Sequence, residues 1–237
     1  MRANNMQARI LQWQSKAHDR NTALQKLEEV KQESLEEEFK KRRAAIVSDA
    51  IQKIPLRYQG KSWIDFKVEN ADQAKVKNIV ERYAKTFDAR LKEGTNLIFL
   101  GRPGTGKTFL SFMLYQQIVQ SGHTALYEPS LDFLRSIQEK KFAPPGSYAT
   151  SIEHYKRPDF LIIDEVTEGS GRGGALTDWE RGLLFKLIDA RYNQKCCTLI
   201  ISNLTRTGIR TCIGEPTFDR FSDQGVSLPF NWQSYRK

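Results

Sequence analysis

The octet Gly101-Arg102-Pro103-Gly104-Thr105-Gly106-Lys107-Thr108 constrains this chain more than any other stretch. It matches the pattern G-x-x-x-x-G-K-[ST]. It lies between an apolar run, Asn96-Leu97-Ile98-Phe99-Leu100, and a segment of helical character from Lys107 to Ser121. Strand, glycine-rich turn and helix in that order gather backbone N–H groups and a helix N-terminus around one point, which favours an anion there. Glycines let the backbone wrap round a phosphate without Cβ clashes. Gly101, Pro103, Gly104, Thr105 and Gly106 are expected to form the cradle. Lys107 is expected to contact the β- and γ-phosphates of ATP, and the Thr108 hydroxyl to ligate magnesium. A chance match in a glycine-rich turn would lack the flanking strand and helix.

The second signal is Phe160-Leu161-Ile162-Ile163-Asp164-Glu165, an apolar strand ending in two carboxylates. Asp164 is expected to hold the magnesium through water, and Glu165 to orient and polarise an attacking water. Two solvated carboxylates at a strand end would be unremarkable alone; about 60 residues after a P-loop they point to ATP hydrolysis. Asn203 follows the apolar run Thr198–Ile201. Its amide suits a γ-phosphate or the attacking water, although Asn is also a common turn former.

From residue 95 the apolar periodicity alternates. Strands are expected over 96–100, 124–127, 160–163 and 198–201, and helices over 107–121, 131–140 and 179–192. This predicts an α/β fold, a parallel sheet with helices on both faces. Residues 71–92 read as one helix with Val76, Ile79, Val80, Tyr83 and Phe87 on a single face. Ser62-Trp63-Ile64-Asp65-Phe66 is a short segment with aromatic anchors. Residues 1–54 contain neither Gly nor Pro and are rich in helix formers, with Glu36, Glu37 and Glu38 four residues before Lys40, Lys41 and Arg42. They read as an α-helical extension with a thin apolar stripe, more like a docking arm than a self-packed helix. The predicted division is therefore 1–54 and 55–237.

Lys and Arg outnumber Asp and Glu by 37 to 28, a net charge of +9 that suits a polyanionic partner. No run of about 18 apolar residues exists, and the first twenty residues lack the apolar stretch of a secretory signal. The three cysteines, Cys196, Cys197 and Cys212, suggest reduced thiols in a cytoplasmic protein. The histidines, His18, His123 and His154, are far apart and match no zinc-site spacing.

The motif order, continued by Ile201-Ser202-Asn203-Leu204, Phe218-Asp219-Arg220-Phe221 and Phe230-Asn231-Trp232-Gln233-Ser234-Tyr235-Arg236, resembles the DnaC/DnaI group of replicative-helicase loaders. These are AAA+ P-loop ATPases of the bacterial and phage initiator clade. The resemblance covers about residues 55–237, and the tail from Phe230 to Arg236 is its most particular part. It implies that Asn203 is the first sensor, Arg220 the arginine finger reaching a neighbouring subunit's ATP, and Arg236 the second sensor arginine. On residue chemistry alone Arg220 would equally suit an ion pair with Asp219 or Glu215. The resemblance further implies self-association on ATP, a grip on a hexameric DnaB-type helicase through residues 1–54, and single-stranded DNA binding near Lys140, Lys141, Phe142, Thr177 and Trp179. Core packing is the rival role for Phe142 and Trp179. Gly169–Gly174 is expected to be a flexible loop whose Arg172 would meet DNA or a neighbour, although loop flexibility alone accounts for the glycines. The zinc module of some relatives is not expected, because no cysteine precedes Cys196. Two rivals stand beside helicase loading: an IstB-like transposition ATPase, and a non-catalytic adaptor that uses ATP as a structural ligand.

Overall fold

In the computed structural model, which describes residues 47–140, 147–166 and 176–236, strand and helix alternate from Leu97 onward. The chain divides into two units, Met1–Asp49 and Ala50–Lys237. All of the first except its last three residues lies outside the described residues, as do Lys141, Phe142 and the Gly169–Gly174 loop. In the second unit, two 3-10 turns (Leu56–Tyr58 and Trp63–Asp65) lead into helices α1 (Ala71–Lys85) and α2 (Phe87–Glu93). Strand β1 (Leu97–Gly101), α3 (Lys107–Gln120), β2 (Ala125–Pro129), α4 (Ser130–Lys140) and α5 (Ser147–Lys156) follow. The chain continues through β3 (Phe160–Asp164), α6 (Asp178–Asn193), β4 (Cys197–Ser202), α7 (Arg206–Ile213), α8 (Glu215–Asp223) and β5 (Val226–Phe230).

The five strands form one sheet in the order β2-β3-β4-β1-β5, with every neighbouring pair parallel. A parallel sheet is covered on both faces, so its inner strands must be apolar along their whole length. This is what β3 and β4 show, with all their residues buried. One face carries Ile98, Leu100, Leu161, Ile163 and Ile200 against Phe133, Ile152, Leu184, Ile209 and Phe221 of α4 to α8. The alternate residues lie toward α1 to α3, where Tyr83 and Phe87 meet Phe160 with ring centroids 6.3 and 5.7 Å apart.

The strand expectations are each matched within two residues. The fifth strand, β5, was not foreseen, because Pro229 and Ser227 disguise it. Its place at the sheet edge tolerates a proline, since only one side needs ladder donors. The helix expected over 71–92 is broken at Thr86, whose hydroxyl bonds back to the Arg82 carbonyl and whose backbone leaves the helical region. The break lets Tyr83 and Phe87 both press on Phe160. Helices α5, α7 and α8 were also missed; each is short.

Two caps show how sequence sets helix starts. Asn70 accepts from the Gln73 amide while the Gln73 side chain accepts from the Asn70 amide, a capping box at α1. Thr177 and Glu180 do the same at α6. Arg191, on α6, is fully buried and donates to five neutral acceptors: Thr198 Oγ1 and the carbonyls of Tyr155, Lys156, Pro158 and Cys197, at 2.6–3.1 Å.

Candidate nucleotide site

The C-terminal ends of β1, β3 and β4 open onto a cleft of about 530 Å³ lined by Gly104, Lys107, Thr108, Asp164, Glu165, Asn203 and Arg236, among others. The P-loop takes its shape from the glycines. Gly101 leaves β1 with φ +136°, and a Cβ there would stand 2.3 Å from the Phe230 carbonyl oxygen. Gly106 begins α3 with φ +91°, and a Cβ would meet the Phe66 ring at 2.7 Å. Neither position admits another residue without moving a neighbour.

Lys107 is buried and folded back onto its own loop. Its Nζ donates to the carbonyls of Gly101 and Arg102 at 2.6 and 2.8 Å and to Asn203 Oδ1 at 2.8 Å. Burial lowers its pKa from 10.5 to about 8; nearby Asp164 opposes this and Arg236 adds to it. A triphosphate selects the ammonium form, so ATP affinity should be nearly flat below pH 8 and fall about tenfold per unit above it, one proton being linked. The sign for stability is opposite. Between pH 8 and 10.5 the unfolded chain holds the proton that the nucleotide-free fold has shed, so stability contributed by this group rises with pH. Fluorescent-nucleotide titrations from pH 7 to 9.5 check the first slope, which should be absent from the Lys107→Gln protein.

Asp164 ends β3 almost wholly buried. Its Oδ2 accepts from Thr108 Oγ1 at 3.0 Å and from the Tyr127 hydroxyl at 2.9 Å, and its Oδ1 accepts from the Glu165 amide at 2.8 Å. Burial raises its pKa, and these three hydrogen bonds pull it back. Glu165 turns through φ +58°, uncommon for a residue with a Cβ, and its exposed side chain stands on the cleft wall. Asn203 follows β4. There the Ser202 hydroxyl donates to the Val166 carbonyl at 2.8 Å and ties the ends of β3 and β4 together.

The C-terminal tail closes over the P-loop. Trp232 Nε1 donates to the Thr105 carbonyl at 3.0 Å, and the Tyr235 amide donates to the Gly104 carbonyl at 2.9 Å. The Tyr235 hydroxyl donates to the Lys67 carbonyl at 2.6 Å, and its ring meets Phe66 edge-on at 5.8 Å. The segment of the two 3-10 turns continues the wall beside the tail, with Tyr58, Asp65 and Phe66 lining the cleft. Tyr58 stacks on Phe112 at 5.0 Å, and Trp63 Nε1 donates to Gln117 Oε1 at 2.9 Å. The aromatic anchors Trp63 and Phe66 were legible from sequence; that Phe66 lines the cleft while Trp63 ties down to Gln117 was not.

Arg220 does not line the cleft. It lies on α8, where Nε donates to Asp189 Oδ1 at 3.0 Å and the guanidinium sits 5.3 Å from the Phe185 ring. The partner is thus neither Asp219 nor Glu215, and Glu215 bonds Arg210 instead. Thr177 serves as the α6 cap, and Trp179 is half-buried against the core cluster. Lys140 ends α4.

Sequence reasoning missed Tyr127, which reaches Asp164 diagonally across the β2–β3 pair. Finding it needs the register of that pair, Tyr127 opposite Ile162.

The fold is that of AAA+ P-loop proteins. It is similar to the crystal structure of the DnaC helicase loader, with a TM-score of 0.64 at 21% identity over 74% of this chain and 99% of that one. It is also similar to the replication initiator DnaA bound to AMPPCP and single-stranded DNA, with a TM-score of 0.61 at 16% identity over 76% of this chain and 52% of that one. In sequence the chain is 28% identical over 184 residues to the replicative helicase loader DnaC of Buchnera aphidicola subsp. Schizaphis graminum, covering 76% of this chain and 71% of the relative. The model of the IstB-like ATP binding proteins matches residues 2–237, and the chain belongs to that family.

Proposed function

We propose that this protein hydrolyses ATP to place a hexameric replicative helicase on single-stranded DNA at the start of replication. The observation that carries the reading is the convergence of Lys107, Thr108, Asp164, Glu165 and Asn203 on one cleft, in a chain whose named relatives are helicase loaders. The family model bears the IstB name of the transposition ATPase considered from sequence, but the relatives above are named for helicase loading, which favours the loader.

ATP would seat its triphosphate along the P-loop amides, with Lys107 released from the Gly101 and Arg102 carbonyls to the phosphate oxygens. Thr108 and Asp164 suit magnesium, which takes oxygen ligands and prefers few from protein and the rest from water and phosphate. Their oxygens lie 3.0 Å apart at the foot of the P-loop. When bound, that ion neutralises charge on the β- and γ-phosphates. Glu165 orients the attacking water and accepts its proton. Asn203, freed from Lys107, donates to the γ-phosphate or that water. Arg236 supplies charge from the tail side.

Residues 1–54 are assigned to the helicase grip and Arg220 to the ATP of an adjacent copy. Its position on α8, outside its own cleft, supports action on another subunit. Lys140, Lys141, Phe142, Thr177 and Trp179 are assigned to the DNA track. The full-length protein should deposit a replicative helicase onto circular single-stranded DNA only with ATP. Arg220→Ala should bind ATP normally yet lose ATP-driven assembly and loading at least tenfold, the lower range for supplied arginines being higher still. Loading without nucleotide, or capture of a transposase in place of a helicase, would overturn this reading.

A further inference from the structure

Tyr127 belongs to none of the motifs, yet it touches the centre of the site. The β2–β3 register sets it opposite Ile162, so its side chain leaves the sheet on the face shared by Ile162 and Asp164. The ring packs on Phe112 with centroids 4.5 Å apart, and the hydroxyl donates to Asp164 Oδ2 at 2.9 Å. That oxygen also accepts from Thr108, while the Glu165 amide holds the other one. Three donors from three elements therefore fix the plane of one carboxylate. A cation would take a lone pair of the Thr108 oxygen and leave its O–H to donate to Asp164, so the direction of that bond becomes tied to the cation. Tyr127 and the Glu165 amide hold Asp164 independently of it.

We infer that Tyr127 is a positioning residue. It keeps the Asp164 carboxylate aimed at the place where the cation and the phosphates meet, and so sets the magnesium concentration at which ATP binds tightly. The inference rests on the Mg–ATP reading of the cleft. Partners of a ligating carboxylate commonly alter metal affinity 10–100-fold. The competing account, in which Tyr127 only packs, needs the ring and not the hydroxyl.

Tyr127→Phe separates the two. Binding of a fluorescent ATP analogue to the full chain would be measured in EDTA and across a magnesium titration. The variant should need about tenfold more magnesium for tight binding, with unchanged affinity in EDTA. A Tyr127→Phe protein that behaves as wild type in magnesium would overturn the role of the hydroxyl, as would an equal loss in EDTA. Wild-type affinity that ignores magnesium would overturn both the magnesium site and the inference built on it.

Discussion

Replacing Glu165 by Gln is expected to leave ATP bound and to stop its hydrolysis. The substitution keeps the size and polarity of the side chain but removes the base. Glu165 stands on the cleft wall beside Asp164, and its amide helps to fix the Asp164 carboxylate. The backbone contact survives the change, so Mg–ATP affinity should stay within about threefold. General-base catalysis contributes roughly 10²–10⁴-fold, and phosphate release should fall by that factor. Nucleotide titration and a phosphate-release assay on the same preparation check both halves. Turnover at the wild-type rate would remove Glu165 from the mechanism. A protein that never hydrolysed ATP, even with helicase and DNA present, would favour the adaptor reading instead.

The second large effect is on the fold. Arg191→Met is expected to destabilise the protein by about 3–5 kcal/mol, a few times the cost of one buried acceptor left without a donor. All five hydrogen bonds of Arg191 go to neutral acceptors. Its guanidinium makes five hydrogen bonds, to a hydroxyl and four carbonyls; Nη1 serves three of those carbonyls, at the end of α5 and just beyond it. Methionine fills much of the space but leaves these acceptors without donors, each a cost of about 1–3 kcal/mol unless water enters. The melting temperature should fall by roughly 6–20 °C for a chain of this size. Lysine should restore only part of the loss, because an ammonium has three donors on one atom while the guanidinium spreads five in a plane. Burial also lowers the pKa of Arg191 to about 10, so the network works against its own charge and depends on complete hydrogen bonding. A melting temperature within a degree or two of wild type in Arg191→Met would show that water satisfies the carbonyls. The segment that Arg191 ties down leads directly into β3, so the same network sets where Asp164 emerges.

These two residues differ in how visible they are. Glu165 could be named from its neighbours in the chain, since a strand ending in two acids after a P-loop has few other readings. Arg191 could not, because its acceptors lie 6 to 36 residues away and become neighbours only when α6 packs across β3 and β4. The missed elements divide in the same way. The buried central strands announce themselves as apolar runs. Strand β5 is hidden because an edge strand need not be apolar on both faces and can hold Pro229. The break at Thr86 is hidden because Val76, Val80, Tyr83 and Phe87 keep a helical period across it, while the Thr86 hydroxyl turns back to the Arg82 carbonyl. Arg220 shows the limit of reading charge locally. Sequence offered Asp219 and Glu215 as partners, but packing of α8 on α6 supplies Asp189 and leaves Glu215 to Arg210.

The sequence by itself determined the P-loop, its lysine and threonine, the acidic strand end and the alternating α/β order. Each of these is a contiguous pattern whose physics is local: glycine conformational freedom, helix N-terminal amides, apolar periodicity. Only the tertiary structure decided that Tyr127 holds Asp164, that Lys107 rests on Asn203, that Trp232 and Tyr235 clasp the P-loop, and that Arg220 stands outside the cleft. Those contacts depend on strand register and on which helix faces meet, and both are set by burial of the whole core at once.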